Sequence, residues 1–372
     1  MTKLGVGIIG CGNISTTYLS LAPLFKGFEI RAVSDLDIDA ARGQAERFGI
    51  VAKSVDDVLA SDDIDIVVNL TIPKAHFEVT RAILYAGKHA YSEKPVVLSM
   101  QEGEILRALA DAEGLRVGAA PDTFLGGAHQ LARHAIDEGS VGRITGGTAH
   151  IMSAGMEHWH PNPDFFFKPG GGPMLDMGPY YVTNLIQLLG PVARVAALTG
   201  TAFEERIITS EPRAGEAIKV ETPTTIHALL EFATGAQITL STSWDVRAHR
   251  HGPMELYGTE GSLFLPDPNF FGGTVERAGR DGATAPLDAW AHPFGVPNQD
   301  GRANYRAAGL ADLAAALVEG RPHRCALDMA LHAVDVMTSV LRSGEAGTFV
   351  PLSSTCARPP ALGPEEARAL LA

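Results

Sequence analysis

The sequence is poor in cysteine, in positive charge and in long apolar runs, and each shortage excludes something. Its three cysteines, Cys11, Cys325 and Cys356, stand far apart in 372 residues. They form no CxxC pair and no Cys/His ligand spacing, which excludes a disulfide framework and a zinc site and leads us to expect a reducing, cytoplasmic setting. Lys and Arg number 30 against 43 Asp and Glu, a formal net charge of −13. A nucleic acid or an anionic membrane calls for a basic patch, so neither is expected as a partner. No apolar stretch approaches the ~18–20 residues of a membrane span. The opening "MTKLGVGIIG" has too short an apolar run, and too many turn-forming glycines, for a signal peptide. There is no repeat of fixed period and no low-complexity tract. What remains is an ordinary globular composition, 45% hydrophobic and 20% charged. A single core stops growing near ~250–300 residues, so two domains are expected.

The first third alternates strand and helix patterns. "KLGVGIIG" reads as a strand buried on both faces. "GCGNIS" and a helical "TTYLSLAPLF" follow, giving the strand, glycine turn and helix that a dinucleotide-binding loop requires. Gly10 permits the tight turn, Gly12 lets backbone approach a pyrophosphate, and Ser15 is a small residue where a third glycine or alanine is usual. Gly10, Gly12, Asn13 and Ile14 are the candidates of this loop. The next strand, "FEIRAVSDLD", ends in Asp35, ~20 residues on, where an acidic residue binds an adenosine ribose. Its charge, with Leu36 rather than an arginine after it, favours NAD over NADP; the other reading of Asp35 is a helix cap for "DLDIDAARGQAERFG". "SVDDVLAS" reads as helix, "DIDIVVNLTIP" as strand, "KAHFEVTRAILYAGK" as helix, "HAYSEKP" as strand and exit, "SMQEGEILRALADAEG" as helix and "LRVGAAPD" as strand. Such alternation predicts a doubly wound parallel sheet, with ligands gathered at the carboxyl ends of its strands. Thr71, Ile72, Pro73, Glu93, Lys94 and Pro95 fall at such ends.

Together "GIIGCGNIS", "AVSDLD", "TIPKAHFEV", "AGKHAYSEKPV", "GGGPMLDMGPYYVTNLIQLLGPV" and "GLADLAAALVEGRPHRCALDMALHAVDVM" resemble the glucose–fructose oxidoreductase / inositol dehydrogenase family, Gfo/Idh/MocA. The resemblance runs from residue 5 to beyond residue 335. It implies an N-terminal NAD-binding Rossmann domain, residues 1–122. It also implies a C-terminal α+β domain, residues 123–372, with a large, open, mostly antiparallel sheet for substrate binding and oligomerisation. The implied activity is hydride transfer at a sugar or polyol carbon, with the lysine of "EKP", Lys94, as acid/base. The family's D-x-G-x-H motif maps its aspartate to Asp176 and its histidine position to Tyr180, so the sequence departs from the pattern there. It departs again where "PDTFLGG" replaces an arginine-containing motif. The resemblance places His76 beside the cofactor; a helix-surface histidine is the alternative.

The chemistry is compatible with these residues. Oxidising a secondary alcohol needs a hydride acceptor, a base and an oriented carbinol. A lysine at its ordinary pKa of ~10.4 is a poor base at neutral pH, but desolvation or a nearby positive charge lowers it. A solvated lysine, or one paired with Glu93, is the plainer reading of Lys94 by itself. Asp176 precedes a helix with Pro179 in its first turn and is either a cap or a substrate ligand. Tyr180 lies on the same helix face and suits hydrogen bonding to substrate. In "GMEHWHPNPDFFF", His158, Trp159 and His160 offer an aromatic face and hydrogen bonds to a sugar, or simply pack a loop. No metal is expected.

Farther on, "TPTTIHALLEFATGAQITLSTSWDV" and "PMELYGTEGSLFLP" read as hairpins of an antiparallel sheet. An uncovered apolar sheet face predicts a homodimer or homotetramer. Residues 266–302, dense in Pro and Gly, read as loop. Asp312 and His332 lie on helices that would approach the crevice, and a short helix is expected from Pro364. The expected activity is thus an NAD-dependent dehydrogenase for a secondary hydroxyl of a sugar, glycoside or inositol. The alternatives are a keto-sugar reductase, a non-catalytic NAD-binding regulator on the same fold, and an enzyme that recycles a tightly held cofactor.

Overall fold

The computed structural model describes residues 3–288 and 290–372. The first two residues of the opening segment, and Ala289 within the expected 266–302 loop, lie outside the described residues. By its internal contacts the chain divides into two compact units. One comprises Met1–Gly127, Ala291–Val334 and Pro359–Ala372; the other comprises Ala128–Trp290 and Asp335–Arg358. The sequence reading draws one boundary at 122/123; the internal contacts divide the chain after Gly127 and return Ala291–Val334 and Pro359–Ala372 to the first unit.

The first unit begins β1 (Leu4–Ile9), α1 (Asn13–Leu21), β2 (Phe28–Ser34), α2 (Ile38–Phe48), β3 (Val51–Ala52) and α3 (Val55–Ala60). It continues with β4 (Ile66–Asn69), α4 (His76–Tyr85), β5 (His89–Ser92), α5 (Met100–Glu113) and β6 (Val117–Ala119). The six strands form one sheet in the order β3-β2-β1-β4-β5-β6, all parallel. The order reverses beside β1, so the loops after β1 and β4 flank the switch point where such sheets take ligands. Local chemistry sets the helix ends. Ser99 and Glu102 form a reciprocal capping box at the start of α5, and Gly114, with φ 63, closes it.

The second unit runs α6 (Gly127–Asp137, from Ala128 on), β7 (Ile144–Met152), α7 (Gly172–Asp176), α8 (Gly178–Leu189) and β8 (Val192–Gly200). Then come β9 (Glu205–Ile207), β10 (Ala217–Lys219), β11 (Thr225–Phe232), β12 (Gln237–Ser243), β13 (Met254–Gly258), β14 (Ser262–Leu265), β15 (Glu276–Ala278) and β16 (Thr284–Pro286). The chain continues with α9 (Ala308–Glu319), α10 (Leu327–Ala346), β17 (Val350–Pro351) and α11 (Pro364–Leu370). The main sheet of this unit has nine strands, β16-β15-β14-β13-β7-β12-β11-β8-β17. Every pairing in it is antiparallel except β7 with β12. The two expected hairpins are β11–β12 and β13–β14. The 266–302 segment is not all loop, because β15 and β16 extend the sheet edge.

One sheet face is covered. Asn184 of α8 contacts Met254 of β13, and Ser343 of α10 accepts the N–H of Ala197 on β8 at 2.9 Å. On the other face Leu198, Leu229 and Tyr257 remain 74%, 54% and 37% exposed.

Candidate active site

The loop after β1 is built for close approach. Gly10 has φ +107, and a side chain there would meet the backbone of Leu70 at 2.6 Å, so only glycine fits. Nothing lies within 4 Å of where a Gly12 side chain would stand. Gly12 is the N-cap of α1, with no side-chain cap bond and no acidic residue in the first turn. The N–H groups of that turn, which include Asn13 and Ile14, therefore face an uncrowded entrance suited to a phosphate anion. Ser15 is buried and its hydroxyl donates to the Gly12 carbonyl at 2.6 Å, so the third position of the loop stays small.

Asp35 closes this loop from β2. Its Oδ2 accepts the Cys11 N–H at 2.7 Å and its Oδ1 accepts the Asp37 N–H at 2.9 Å. It is not the cap of α2; that is Asp37, which accepts from Asp39. Each Asp35 oxygen keeps a further lone pair for a ribose hydroxyl. Burial, together with the Asp35 charge, pushes the Cys11 thiol up to about 11. Beyond it Leu36 is 99% exposed, and Ile72, after β4, is 68% exposed. Two such aliphatic side chains, at the ends of the strands flanking β1, suit the faces of a flat base. The turn, the open helix start, the acidic residue and these apolar side chains all fit a dinucleotide.

The "TIP" turn is held from inside. Asn69, fully buried, accepts from the Thr71 N–H at 3.2 Å and the Thr71 hydroxyl at 2.7 Å, and donates to the His76 carbonyl and Thr80. His76 is 1% exposed, so it is not a helix-surface histidine. Its Nδ1 lies 2.7 Å from the Pro95 carbonyl and its Nε2 lies 2.9 Å from the Thr71 carbonyl. It clamps the Thr71–Ile72–Pro73 turn to the Glu93–Lys94–Pro95 turn. Glu93 Oε2 accepts the N–H of Lys94 at 3.0 Å, and Glu93 Oε1 accepts the Tyr18 hydroxyl at 3.0 Å. The Lys94–Pro95 peptide is cis. Eleven candidates read from the sequence, Gly10, Gly12, Asn13, Ile14, Asp35, Thr71, Ile72, Pro73, His76, Glu93 and Lys94, therefore belong to this unit and ring the ends of β1, β2, β4 and β5.

The other candidates belong to the second unit. Asp176 ends α7 and does not cap α8, whose N-cap is Met177 with no side-chain cap bond. The glycine of the motif has a packing cause: a side chain on Gly178 would meet the sulfurs of Met337 and Met174 at 3.0 and 3.1 Å. Tyr180 is the one residue of α8 that is not buried. In the loop after β7, His158 is exposed and Trp159 is 56% exposed. His160 is engaged in packing. Its Nδ1 accepts the Asn162 N–H at 3.1 Å and its ring meets Trp159, Phe165 and Phe166 edge-on. His158 borders a cavity of about 390 Å³ with Glu157, Arg206, Trp244, Asp245 and Arg247. Arg206 is nearly buried there, paired with Glu157 at 2.8 Å and with Asp245.

Two expectations change. Asp312 is fully buried and paired with Arg324 at 2.6 Å and Arg321 at 3.0 Å, a structural ion pair. His332 is fully buried within α10. Two residues around Glu93 escaped the sequence reading: Tyr18, which donates to it, and Asp122, which feels its charge. Tyr18 left a local signal, a polar tip on the sheet-facing side of α1. Asp122 left none, since the N–H groups it holds, those of Ala307 and Gly309, stand 185 and 187 residues away.

Residues 4–120 match the family model described as "Oxidoreductase family, NAD-binding Rossmann fold", and residues 129–264 match the GFO/IDH/MocA C-terminal domain. Levoglucosan dehydrogenase of Pseudarthrobacter phenanthrenivorans is 26% identical, over 79% of this chain and 83% of that protein. D-xylose dehydrogenase of Paenarthrobacter nicotinovorans is 27% identical over 56% of this chain and 55% of its own length. Among solved structures, an NAD binding oxidoreductase from Klebsiella pneumoniae superposes with a TM-score of 0.82 at 21% identity, covering 95% of this chain and 99% of that one. Levoglucosan dehydrogenase in complex with NADH and L-sorbose superposes with a TM-score of 0.80 at 20% identity, over 95% of this chain and 99% of the other. The chain belongs to the Gfo/Idh/MocA family of oxidoreductases with an NAD-binding Rossmann fold.

Proposed function

We propose that this protein is an NAD-dependent dehydrogenase that oxidises a secondary hydroxyl of a sugar, glycoside or inositol, with Lys94 as acid/base. The carrying observation is the Glu93–Lys94–Pro95 turn at the end of β5, held by His76 and Tyr18 beside a dinucleotide-shaped loop. Gly10, Gly12, Asn13, Ile14, Asp35, Thr71, Ile72, Pro73, His76, Glu93 and Lys94 serve the cofactor, directly or through the turns they hold. NAD, when bound, supplies the acceptor for the hydride that leaves the carbinol carbon. The neutral Lys94 amine takes the hydroxyl proton and, once charged, steadies the developing alkoxide. Asp176 assists the proton transfer, and Tyr180 with His158, Trp159 and His160 binds substrate hydroxyls and C–H faces. Residues 1–122 carry the cofactor role, and residues 123–372 the substrate and assembly roles.

Asp35 and Leu36 give NAD an advantage over NADP of ~30–150-fold, the worth of a lost ribose contact plus repulsion of a 2′-phosphate. Equal or tighter binding of NADP would contradict this. The exposed sheet face carrying Leu198, Leu229 and Tyr257 supports a homodimer or homotetramer. Light scattering showing a monomer at micromolar concentration would oppose that. Among the described residues no helix is long and apolar enough to cross a membrane, and we place the enzyme in the cytoplasm. The functional test is a panel of sugars, glycosides and inositols with NAD⁺, followed as NADH absorbance. A substrate should emerge on which Lys94→Ala lowers turnover by ~10²–10⁴ while NAD still binds. Lys94→Arg should not rescue, because a guanidinium stays charged. Turnover of Lys94→Ala within about threefold of wild type would remove Lys94 from the mechanism.

A further inference from the structure

In the second unit, three segments far apart in sequence close on one buried arginine. Arg206 of β9 is 7% exposed. One of its terminal nitrogens donates to the Ala154 carbonyl at 3.0 Å and to Glu157 Oε1 at 2.8 Å, both in the loop after β7. The other donates to the Trp244 carbonyl at 3.0 Å and to Asp245, both after β12. Asp245 is held in turn by the hydroxyls of Thr224 and Thr225, each at 2.7 Å. The Glu157 carbonyl accepts the Thr209 N–H at 2.9 Å, which ties the loop after β7 to the segment after β9. Trp244 belongs to a buried apolar cluster with Phe166, Phe167, Ile208 and Ile218, so the arrangement rests on a packed base.

These segments wall the cavity of about 390 Å³ that His158 borders, an ordinary size for a small-molecule site. Two carboxylates, Glu157 and Asp245, and two guanidiniums, Arg206 and Arg247, line it, so its charge balances and calls for a neutral ligand. Three polar atoms of these wall residues, Glu157 Oε2, Arg206 Nε and Trp244 Nε1, are buried with no hydrogen-bond partner among the described residues. Such atoms are rare in folded proteins, and here one acceptor and two donors fall in a single wall. The Arg206 guanidinium carbon lies 5.1 Å from the centroid of the Phe203 ring, which also lines the cavity and stays half exposed. A ring backed in this way is a firm platform for a C–H face. Fixed donors and acceptors, no net charge and one apolar platform together describe a site for a sugar ring.

We propose that this cavity is a second sugar subsite, which binds a neutral sugar ring other than the one oxidised, so that the substrate is a glycoside or oligosaccharide rather than a free monosaccharide. This subsite rests on the dehydrogenase reading and narrows its substrate class. Within the second unit the cavity adjoins the other substrate candidates. His158 is common to both. α7, which ends in Asp176, starts against the Phe166 and Pro223 carbonyls, and Thr224, next in sequence, holds Asp245. A purely structural Arg206 network would contribute stability, but sugar affinity would then not depend on the exposed side chains of Phe203 and Arg247.

The test uses the full-length protein and two readouts: sugar dissociation constants from ligand-observed NMR titration in the presence of NADH, and initial rates with NAD⁺. The first needs no catalysis. The probes are glucose and xylose, with maltose, cellobiose and xylobiose as their disaccharides. At least one disaccharide should bind about tenfold more tightly than its monosaccharide, the worth of one stacked ring with a hydrogen bond. Phe203→Ala should remove most of that gain while the monosaccharide binds as in wild type. No gain for any disaccharide, or a gain that Phe203→Ala keeps in full, overturns the proposal. An equal loss of monosaccharide and disaccharide affinity in Phe203→Ala also overturns it, because the two rings would then share one site. A gain that Phe203→Ala abolishes, with no NADH formed from any of the sugars, supports the subsite and counts against the dehydrogenase reading. Turnover of a monosaccharide with no disaccharide gain refutes the subsite and leaves the dehydrogenase reading standing. If Phe203→Ala does not fold, Arg247→Ala takes its place under the same criteria.

Discussion

At the scale of single residues, the side chains that hold the site matter as much as those that would do chemistry. His76 is inside the protein with both ring nitrogens against backbone carbonyls, one from each turn. His76→Ala should therefore remove the ring that bridges the two turns and strand the one carbonyl that accepts its N–H. A loss on the order of 1–3 kcal/mol is expected, the cost of one unsatisfied group. NAD affinity should fall with it, because the Thr71 and Glu93 turns are no longer tied; calorimetry and titration would check both. An unchanged melting temperature would contradict the clamp. Asp122 has a different signature. A carboxyl that holds its proton more tightly folded than unfolded contributes most at low pH and loses that contribution as pH rises from 3.8 to about 6. Two units correspond to on the order of 3 kcal/mol. Compared with Asp122→Asn, the wild type should be favoured more at pH 4 than at pH 7; denaturant unfolding at the two values measures the difference, and the reverse order would contradict the burial.

At the scale of elements, the turn between β1 and α1 separates fold from binding. Gly10→Ala puts a side chain 2.6 Å from the Leu70 backbone at φ +107, and the turn cannot absorb it. Gly12→Ala meets nothing within 4 Å. The first variant should lose stability, whereas the second should melt within ~2 °C of wild type yet bind NAD at least about tenfold more weakly, because its methyl fills the approach to the pyrophosphate. Equal effects of the two substitutions on melting would refute this division. The same turn shows why part of the fold was legible. Glycines, caps and apolar runs are local signals, and they mark β1, β2, β4, β5 and β6 and the β11–β12 and β13–β14 hairpins; β3, two residues long, carries no such signal. β7 contains Gly146 and Gly147 and pairs with β12 about ninety residues later, so its apolar pattern is diluted and its partner remote. β15 and β16 lie in a Pro- and Gly-rich stretch whose edge pairing no periodicity announces. Of the site, Lys94, Asp35 and the glycines were readable because they sit in short motifs. Asp122 was not, since only folding brings it to Ala307 and Gly309.

At the scale of the whole molecule, each unit carries a buried neutral histidine. In the second unit, His129 directs Nε2 to the Phe270 carbonyl at 2.8 Å; in the first, His292 directs Nε2 to the Leu362 carbonyl at 3.0 Å, and its Nδ1 accepts the Phe294 N–H. Burial pulls both down from 6.5 to about 4. The unfolded chain then binds more protons than the folded one between those values. Stability should fall as pH drops below about 6.5, by up to about 3 kcal/mol per histidine by pH 4. His129→Gln and His292→Gln should each flatten that slope in unfolding measured against pH, and a slope left intact in both would refute the assignment.

The first unit is also a story about time. The single antiparallel bridge Phe25–Leu371, and the bonds from Lys26 to Leu370 and from Ala372 to Leu24, tie the α1–β2 connection to residues 370–372. During synthesis, residues 1–127 emerge long before the segment that covers them. At ~5–20 residues per second, the wait for residues 359–372 is roughly 12–50 s. Over that interval Phe25 lacks Leu371, and for most of it the ring of Phe294, which meets it edge-on, is also missing. The nascent Rossmann sheet should therefore be a client of ribosome-associated chaperones until the last helix arrives.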